Sequence, residues 1–243
     1  SNTTFVGHNA GKGITGAKLT GTSNTAIGKD AGLLLQGAAG DNTVVGALSG
    51  DAITTGTRTV ALGFKAGSGI TTGDSNVAIG WQALLTEDAH SNNVAVGASA
   101  LQTQNAGAHA YNVAVGFEAG KLLETGTDNT IIGALAGDAV TTGANNTFVG
   151  KNAGTGCQAN GGNTMMGANA GPVILGTNNT GIGTGCLTVL TGASNTALGA
   201  SSGISITSGD DNVMVGTESG RAGHPGGAVS TADGQLCMGN DNI

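Results

Sequence analysis

The sequence predicts an all-β fold, a parallel β-roll or β-solenoid of about 13 rungs with a period of about 17 residues. Three observations predict it. A short apolar run closes on a glycine fourteen times, and the commonest interval between these anchor glycines is seventeen residues. β-Branched residues are enriched in the runs, which favours strands. Glycine supplies 47 of the 243 residues and aromatic residues only 2%, which argues against one compact core.

Asparagine begins eleven of the fourteen repeats, four residues before the anchor glycine. Asparagine tolerates left-handed backbone, and identical side chains one rung apart can form a hydrogen-bonded ladder. We therefore assign these asparagines and glycines to the structural repeat rather than to catalysis. The most regular pairs are Asn24 and Gly28, Asn42 and Gly46, Asn76 and Gly80, Asn93 and Gly97, Asn112 and Gly116, Asn129 and Gly133, Asn146 and Gly150, and Asn163 and Gly167.

The three residues between asparagine and glycine predict a strand with two apolar faces. Segments such as 77–79 (VAI) and 113–115 (VAV) place their first and third side chains on one face and the second on the other. Both faces therefore need a cover. We expect the opposite wall of the coil to cover one face and another chain to cover the second, which predicts a homotrimer because three-fold closure leaves no exposed edge.

The second half of each repeat predicts a second strand that closes a flat, two-walled coil. A small residue, Ala, Ser or Cys, stands three positions after the glycine, and an apolar residue such as Ile53, Ile70 or Val140 follows. Two strands of about five residues and two turns would fill seventeen positions. A three-sided helix with aliphatic residues at every sixth position does not fit the spacing.

Charge and cysteine content restrict the partners. Charged residues make up 9% of the chain and the net charge is −7, so we expect no nucleic acid as a partner. No stretch approaches eighteen apolar residues, so we expect no membrane insertion. Cys157, Cys186 and Cys237 occupy slots that hold small or aliphatic residues in other repeats, and we interpret them as unpaired core thiols suited to assembly in a reducing cytoplasm.

The repeat resembles known fibrous families. The segments 24–31 (NTAIGKDA) and 76–83 (NVAIGWQA) are similar to the head repeats of trimeric autotransporter adhesins and to β-roll segments of bacteriophage tail fibres. The resemblance implies a left-handed roll made by three chains and, with the longer repeat and the cysteines, a virion protein assembled in the host cytoplasm. It leaves a bacterial adhesin on the outer surface as the alternative.

The repeat organisation predicts two regions. Residues 1–220 form the repeat solenoid, and residues 221–243 form an irregular cap or link, because the period breaks at 223–227 (GHPGG) before a final repeat ending at Gly239. The chain opens inside a repeat, so we expect it to be part of a longer protein whose flanking regions contact other virion proteins.

Three aromatic residues are candidates for receptor binding. Phe64, Trp81 and Phe117 directly follow anchor glycines, in a slot that holds lysine in other repeats and is therefore expected to face water. Aromatic faces suit sugar rings, so we predict contact with a host surface glycan or protein. The alternative is that these rings fill the groove between chains of the trimer.

Other candidate sites have simpler interpretations. His90 and His109 lie in turns near Glu87 and Asp88, and we interpret them as solvent-exposed turn residues rather than metal ligands. No nucleophile, base and orienting partner occur together, so we expect neither an enzyme nor a cofactor. The threonine pairs at 54–55, 71–72 and 141–142 resemble ice-binding rows but are interrupted after two rungs, and a pure spacer remains an alternative.

Overall fold

A computed structural model of the chain describes residues 2–14, 16–107, 109–221 and 230–239. These residues form a parallel β-solenoid of about 12 turns with a period of about 17 residues, and they contain no helix. The predicted fold class is therefore confirmed. The predicted break at 223–227 falls outside the described residues, whereas the final repeat lies within them.

The chain divides into two compact units, Ser1–Thr127 and Asp128–Ile243. The strands of the first unit are β1 (Thr4–Val6), β2 (Thr25–Ile27), β3 (Thr43–Val45), β4 (Val60–Leu62), β5 (Val77–Ile79), β6 (Val94–Val96) and β7 (Val113–Val115). Those of the second unit are β8 (Thr130–Ile132), β9 (Thr147–Val149), β10 (Thr164–Met166), β11 (Val173–Ile174), β12 (Thr180–Ile182), β13 (Val189–Leu190), β14 (Thr196–Leu198), β15 (Val213–Val215) and β16 (Leu236–Met238).

Within each unit, strands stack in parallel so that equal slots of successive repeats face each other. Ala61 in β4 pairs with Ala78 in β5, and Ala78 pairs with Ala95 in β6. In the second unit β14, β15 and β16 continue this register, with Ala197 beside Met214 and Met214 beside Cys237. Because the register is constant, one side-chain slot becomes one continuous column on the wall of the coil.

The strands are shorter than the sequence predicts, and most of the second strands are absent. Each main strand has three residues rather than about five. Among the described residues, only β11 and β13 pair as strands on the opposite wall. Elsewhere that wall consists of turns whose threonines bond to the next coil, as when the Thr54 hydroxyl donates to the Thr71 carbonyl at 3.1 Å. The prediction of a second strand in every repeat is therefore wrong.

Three slots fill the interior of a coil. The middle strand residue points inward, as do the small residue three positions after the anchor glycine and, in most coils, an aliphatic residue on the opposite wall. In the coil that begins with β4, these residues are Ala61, Ala66 and Ile70, all fully buried. Alanine in two of three slots lets the walls approach closely, so the core is thin and depends on exact stacking along the column.

The anchor glycines end the strands at a point where successive coils touch. Gly63 has a φ of +132°, and a Cβ atom added there would lie 2.6 Å from the carbonyl oxygen of Gly80. A side chain is therefore excluded twice, by the backbone conformation and by the next coil. The invariance of this slot in the sequence has a steric cause.

Replacing Gly183 and Gly185 by alanine compares an anchor glycine with a glycine that has room for a side chain. Both have positive φ, +142° and +62°, but a Cβ at Gly183 would overlap the carbonyl oxygen of Gly199, whereas one at Gly185 meets nothing within 4 Å. We expect Gly183→Ala to cost about 3 kcal/mol or more and Gly185→Ala about 1 kcal/mol. Chemical denaturation of both variants measures the difference, and equal costs would contradict the steric explanation.

Candidate functional site

The repeated asparagines form a buried ladder inside each unit. The Oδ1 atom of Asn24 accepts hydrogen bonds from the backbone N–H of Asn42 at 3.1 Å and from its Nδ2 at 3.0 Å. In the second unit Oδ1 of Asn195 accepts from the same two groups of Asn212, at 3.0 Å and 2.9 Å. These side chains are fully buried, so each bond links two successive coils away from water.

The same asparagines also tie the two walls of the coil together, which the sequence did not indicate. The Nδ2 atom of Asn42 donates to the carbonyl of Gly56 on the opposite wall, at 2.8 Å. The acceptors change from repeat to repeat, as in the carbonyl of His90 for Asn76 and that of Asn160 for Asn146. One side chain thus fixes both the rise of the solenoid and the width of the coil.

Thr59 interrupts the ladder of the first unit. Its backbone N–H still donates to Oδ1 of Asn42 at 2.9 Å, but its own hydroxyl is buried without a hydrogen-bond partner among the described residues. A buried polar atom without a partner costs free energy. Thr59 is therefore a weak point between two well-bonded coils.

Replacing Thr59 by asparagine should stabilise the first unit. An asparagine places Nδ2 toward the carbonyl of Gly73 and Oδ1 toward the backbone of Asn76, the bonds that other repeats make, for a gain of about 1–2 kcal/mol. Thr59→Val is the matched control, because it removes the unpaired hydroxyl and adds no bond. Thermal or chemical unfolding ranks the two variants, and a valine variant as stable as the asparagine variant would contradict the proposed bonds.

The outward face of the strands is apolar and only partly covered. The third strand residues point away from the interior and keep 36 to 42% of their surface exposed at five positions, namely Ile27, Ile132, Met166, Ile182 and Leu198. Within each unit these side chains stack into a row because the strands share one register. The chain covers one strand face and leaves the other accessible, which is the arrangement the sequence predicts.

The three candidate receptor-binding residues are all exposed in the first unit. Phe64, Trp81 and Phe117 keep 43, 52 and 53% of their surface accessible. Phe64 and Trp81 lie on successive coils, because the N–H of Gln82 donates to the Phe64 carbonyl at 3.0 Å. The ammonium group of Lys65 lies 5.6 Å from the centre of the Phe64 ring. We call these three residues the aromatic row.

The structure corrects the interpretation of His90 as an exposed turn residue. Only 15% of its side chain is accessible, and its Nδ1 lies 2.7 Å from Oε1 of Glu87, which is fully buried. Burial is the largest influence on Glu87 and raises the pKa of its carboxyl group, against the opposing effect of the contacts with His90. His109, by contrast, packs its ring edgewise against exposed Tyr111.

The cysteines match their predicted place in the core, with one exception. Cys157 and Cys186 are fully buried, and burial raises the pKa of their thiols to about 12 and about 11, so both are unreactive near neutral pH. Cys237 is only half-buried, and all three thiols are free. No group of three His, Cys, Asp or Glu side chains that could hold a metal ion occurs among the described residues.

No protein-family model matches this sequence, and no curated protein is significantly similar to it. Within the part of the chain that the structure describes, no helix is long and apolar enough to cross a bilayer. Three features of the structure bear on function. They are the apolar outer strand face, the aromatic row and the buried polar cluster around Glu87.

Proposed function

We propose that this chain is a structural segment of a bacteriophage fibre, a tail fibre or similar virion appendage, that assembles as a homotrimer and contributes to host-cell attachment. The apolar outer strand face carries the proposal. Side chains such as Ile27 and Ile182 are about 40% exposed in a single chain and stack in rows. Contiguous apolar surface of this kind marks an interaction site.

A second and third copy of the same chain are the proposed cover for this face. A row of aliphatic side chains repeated at the spacing of the coils is matched best by a surface with the same repeat, which every copy provides. Three copies around one axis bury all three rows and leave no open interface. The many alanines in each thin core, such as Ala61 and Ala66, add to the need for burial between chains.

The virion assignment rests on the resemblance of the repeat to fibre segments and on the thiols. Three free cysteines, including the half-buried Cys237, suit assembly in a reducing cytoplasm better than export to an oxidising surface. Immunogold electron microscopy distinguishes the two locations. Label on phage particles supports the proposal, whereas label on the bacterial surface supports the adhesin alternative.

Attachment is assigned to the aromatic row. Phe64 and Trp81 are exposed on neighbouring coils, and Gln82, next to Trp81, accepts a hydrogen bond through its Oε1 from Nε2 of Gln102 at 2.8 Å. Exposed aromatic rings near amide groups are suited to stacking and hydrogen bonding with a sugar ring. A host surface glycan is therefore the proposed ligand class.

Replacing Ile27 by aspartate tests the assembly. A carboxylate in the outer row would be buried between chains in the trimer, so we expect Ile27→Asp to be monomeric by light scattering while its circular dichroism stays that of the parent. Lys29→Asp is the matched control, since that side chain lies two residues away and is 71% exposed. A trimeric Ile27→Asp protein, or a parent chain that is a stable monomer, would rule out this interface.

Replacing Trp81 by alanine tests the attachment. We expect the trimer to persist and binding to an array of bacterial surface glycans to weaken at least tenfold, on the order expected for loss of a central aromatic contact. Lys29→Ala changes the same slot on a coil without an aromatic residue and should leave binding unchanged. Dissociation of the Trp81→Ala trimer would instead show that the ring fills the groove between chains.

A further inference from the structure

Two neighbouring coils of the first unit carry polar side chains in a column that is otherwise aliphatic. The inward position of the opposite wall holds Ile53 and Ile70 on the preceding coils and Leu123 on a later one. Glu87 and Gln104 occupy the same position between them, and both are fully buried. A carboxyl group in this column is costly unless other groups compensate for the lost water.

The partners of Glu87 come from its own coil and from the first residue of the next coil. Its Oε1 accepts hydrogen bonds from the backbone N–H of His90 at 3.1 Å and is 2.7 Å from the ring Nδ1 of His90. Its Oε2 accepts from Nδ2 of Asn93 at 3.3 Å. Nδ2 of Asn93 thus donates to Glu87, whereas the corresponding Nδ2 atoms of Asn42 and Asn76 donate to backbone carbonyls. Glu87 thereby connects the asparagine ladder to His90.

The ladder continues from this cluster to Gln104. The backbone N–H of Asn112 donates to Oδ1 of Asn93 at 3.1 Å, and Nδ2 of Asn112 donates to Oε1 of Gln104 at 2.8 Å. Gln104 in turn donates through Nε2 to the carbonyl of Glu124 at 3.2 Å. Gln104 has no charge, so the titratable members of this connected set are Glu87 and His90.

The other charged groups around the cluster have separate partners. Asp88 accepts a hydrogen bond from the hydroxyl of Thr71 on the preceding coil. Asp74, also on that coil, accepts from the Thr57 hydroxyl at 2.8 Å and lies 3.8 Å from Arg58. His109 on the following coil packs against Tyr111. His90 is therefore the basic side chain in contact with the Glu87 carboxylate among the described residues.

We propose that Glu87 and His90 form a pH-sensitive latch that strengthens the coil displaying Trp81 when the pH falls. At basic pH the fully buried Glu87 carboxylate is held by hydrogen bonds alone, from the backbone N–H and the ring of His90 and from Nδ2 of Asn93. A negative charge buried in this column is costly even with these partners. Protonation of the carboxyl group at lower pH removes the buried charge altogether.

The sign of the effect agrees with the direction in which burial moves Glu87. Burial raises the pKa of this carboxyl group above its ordinary value of 4.5. A group whose pKa is higher in the folded than in the unfolded chain contributes stability that is complete below the unfolded pKa and is lost as the pH rises through the folded pKa. Glu87 therefore makes local opening of this coil more frequent at basic pH.

The coil concerned also carries Trp81, the single tryptophan of the chain. Trp81 lies six residues before Glu87, and the backbone of its coil bonds to Ser99 on the next coil at 2.8 Å. A latch that holds this coil closed would keep Trp81, the member of the aromatic row on this coil, in its folded position at lower pH. The latch acts on the stability of the coil itself and does not depend on the proposed function.

Hydrogen exchange of the full chain, followed by mass spectrometry between pH 5 and pH 8, tests the latch. After correction for intrinsic exchange, we expect protection of peptides covering residues 83–96 to fall as the pH rises, because the closed coil binds more protons at Glu87 than the open coil does. Peptides covering residues 66–73, where Ile70 occupies the column, should change little. A wild-type protection ratio that is independent of pH would overturn the proposal.

Variants at Glu87 and His90 show whether this pair causes the pH dependence of protection. Glu87→Gln removes the charge and keeps one acceptor oxygen, for Asn93 or for the His90 N–H but not for both, and should abolish the pH dependence. His90→Gln removes the ring contact with Glu87 and should lower the protection of the same peptides. His109→Gln is the matched control and should leave the profile unchanged. A Glu87→Gln profile that matches the wild type would show that this pair is not responsible.

Discussion

The asparagine side chain is the contact on which the rest of the structure depends. Strands of three residues provide few ladder bonds, and alanine-rich interiors provide little apolar burial. Asn42 illustrates how one residue offsets both deficits, because Nδ2 reaches the opposite wall at Gly56 while Oδ1 holds the next coil. The amide group is short enough to stay inside the coil and carries both a donor and an acceptor, a combination that aspartate and leucine lack.

Close packing also accounts for leucines with a left-handed backbone in a slot that usually holds glycine. Most repeats have glycine four positions after the anchor, but Leu84, Leu101 and Leu187 stand there with φ of 50°, 47° and 45°. Left-handed leucine costs about 1 kcal/mol, yet each side chain is fully buried. Leu187 lies on the coil whose middle strand residue is Gly181, and the space left by that glycine is filled by leucine from a neighbouring slot.

The sequence was sufficient to predict the repeat, the parallel stack and the asparagine ladder, because one slot with one residue type implies one constant environment. It was not sufficient to predict the cross-wall bonds, since their acceptors are backbone carbonyls of different residues such as Gly56 and His90. The β-branched run around Val140 suggested a strand, but the Thr141 hydroxyl bonds to the Gln158 carbonyl within a wall of turns.

Glu87 was missed for a related reason. A glutamate within a polar stretch of sequence is ordinarily exposed, and only its alignment with Ile53 and Ile70 shows that it replaces an inward residue. The aromatic row was found correctly as exposed because lysine shares its slot, although exposure alone does not identify a ligand. A lysine in the aromatic slot thus indicated that the slot faces water, whereas the inward position of Glu87 showed only in the alignment of its slot with Ile53 and Ile70.

The constant register has a consequence for how such a chain can change over generations. Because Ala78 and Ala95 each pair with an alanine in both neighbouring coils, one such coil can be lost or duplicated while the strand contacts of the coils that remain are kept. In-frame recombination between repeats of a gene would thus produce foldable proteins with different numbers of coils. Length becomes a property that selection can adjust in whole steps, independently of the chemistry displayed on any single coil.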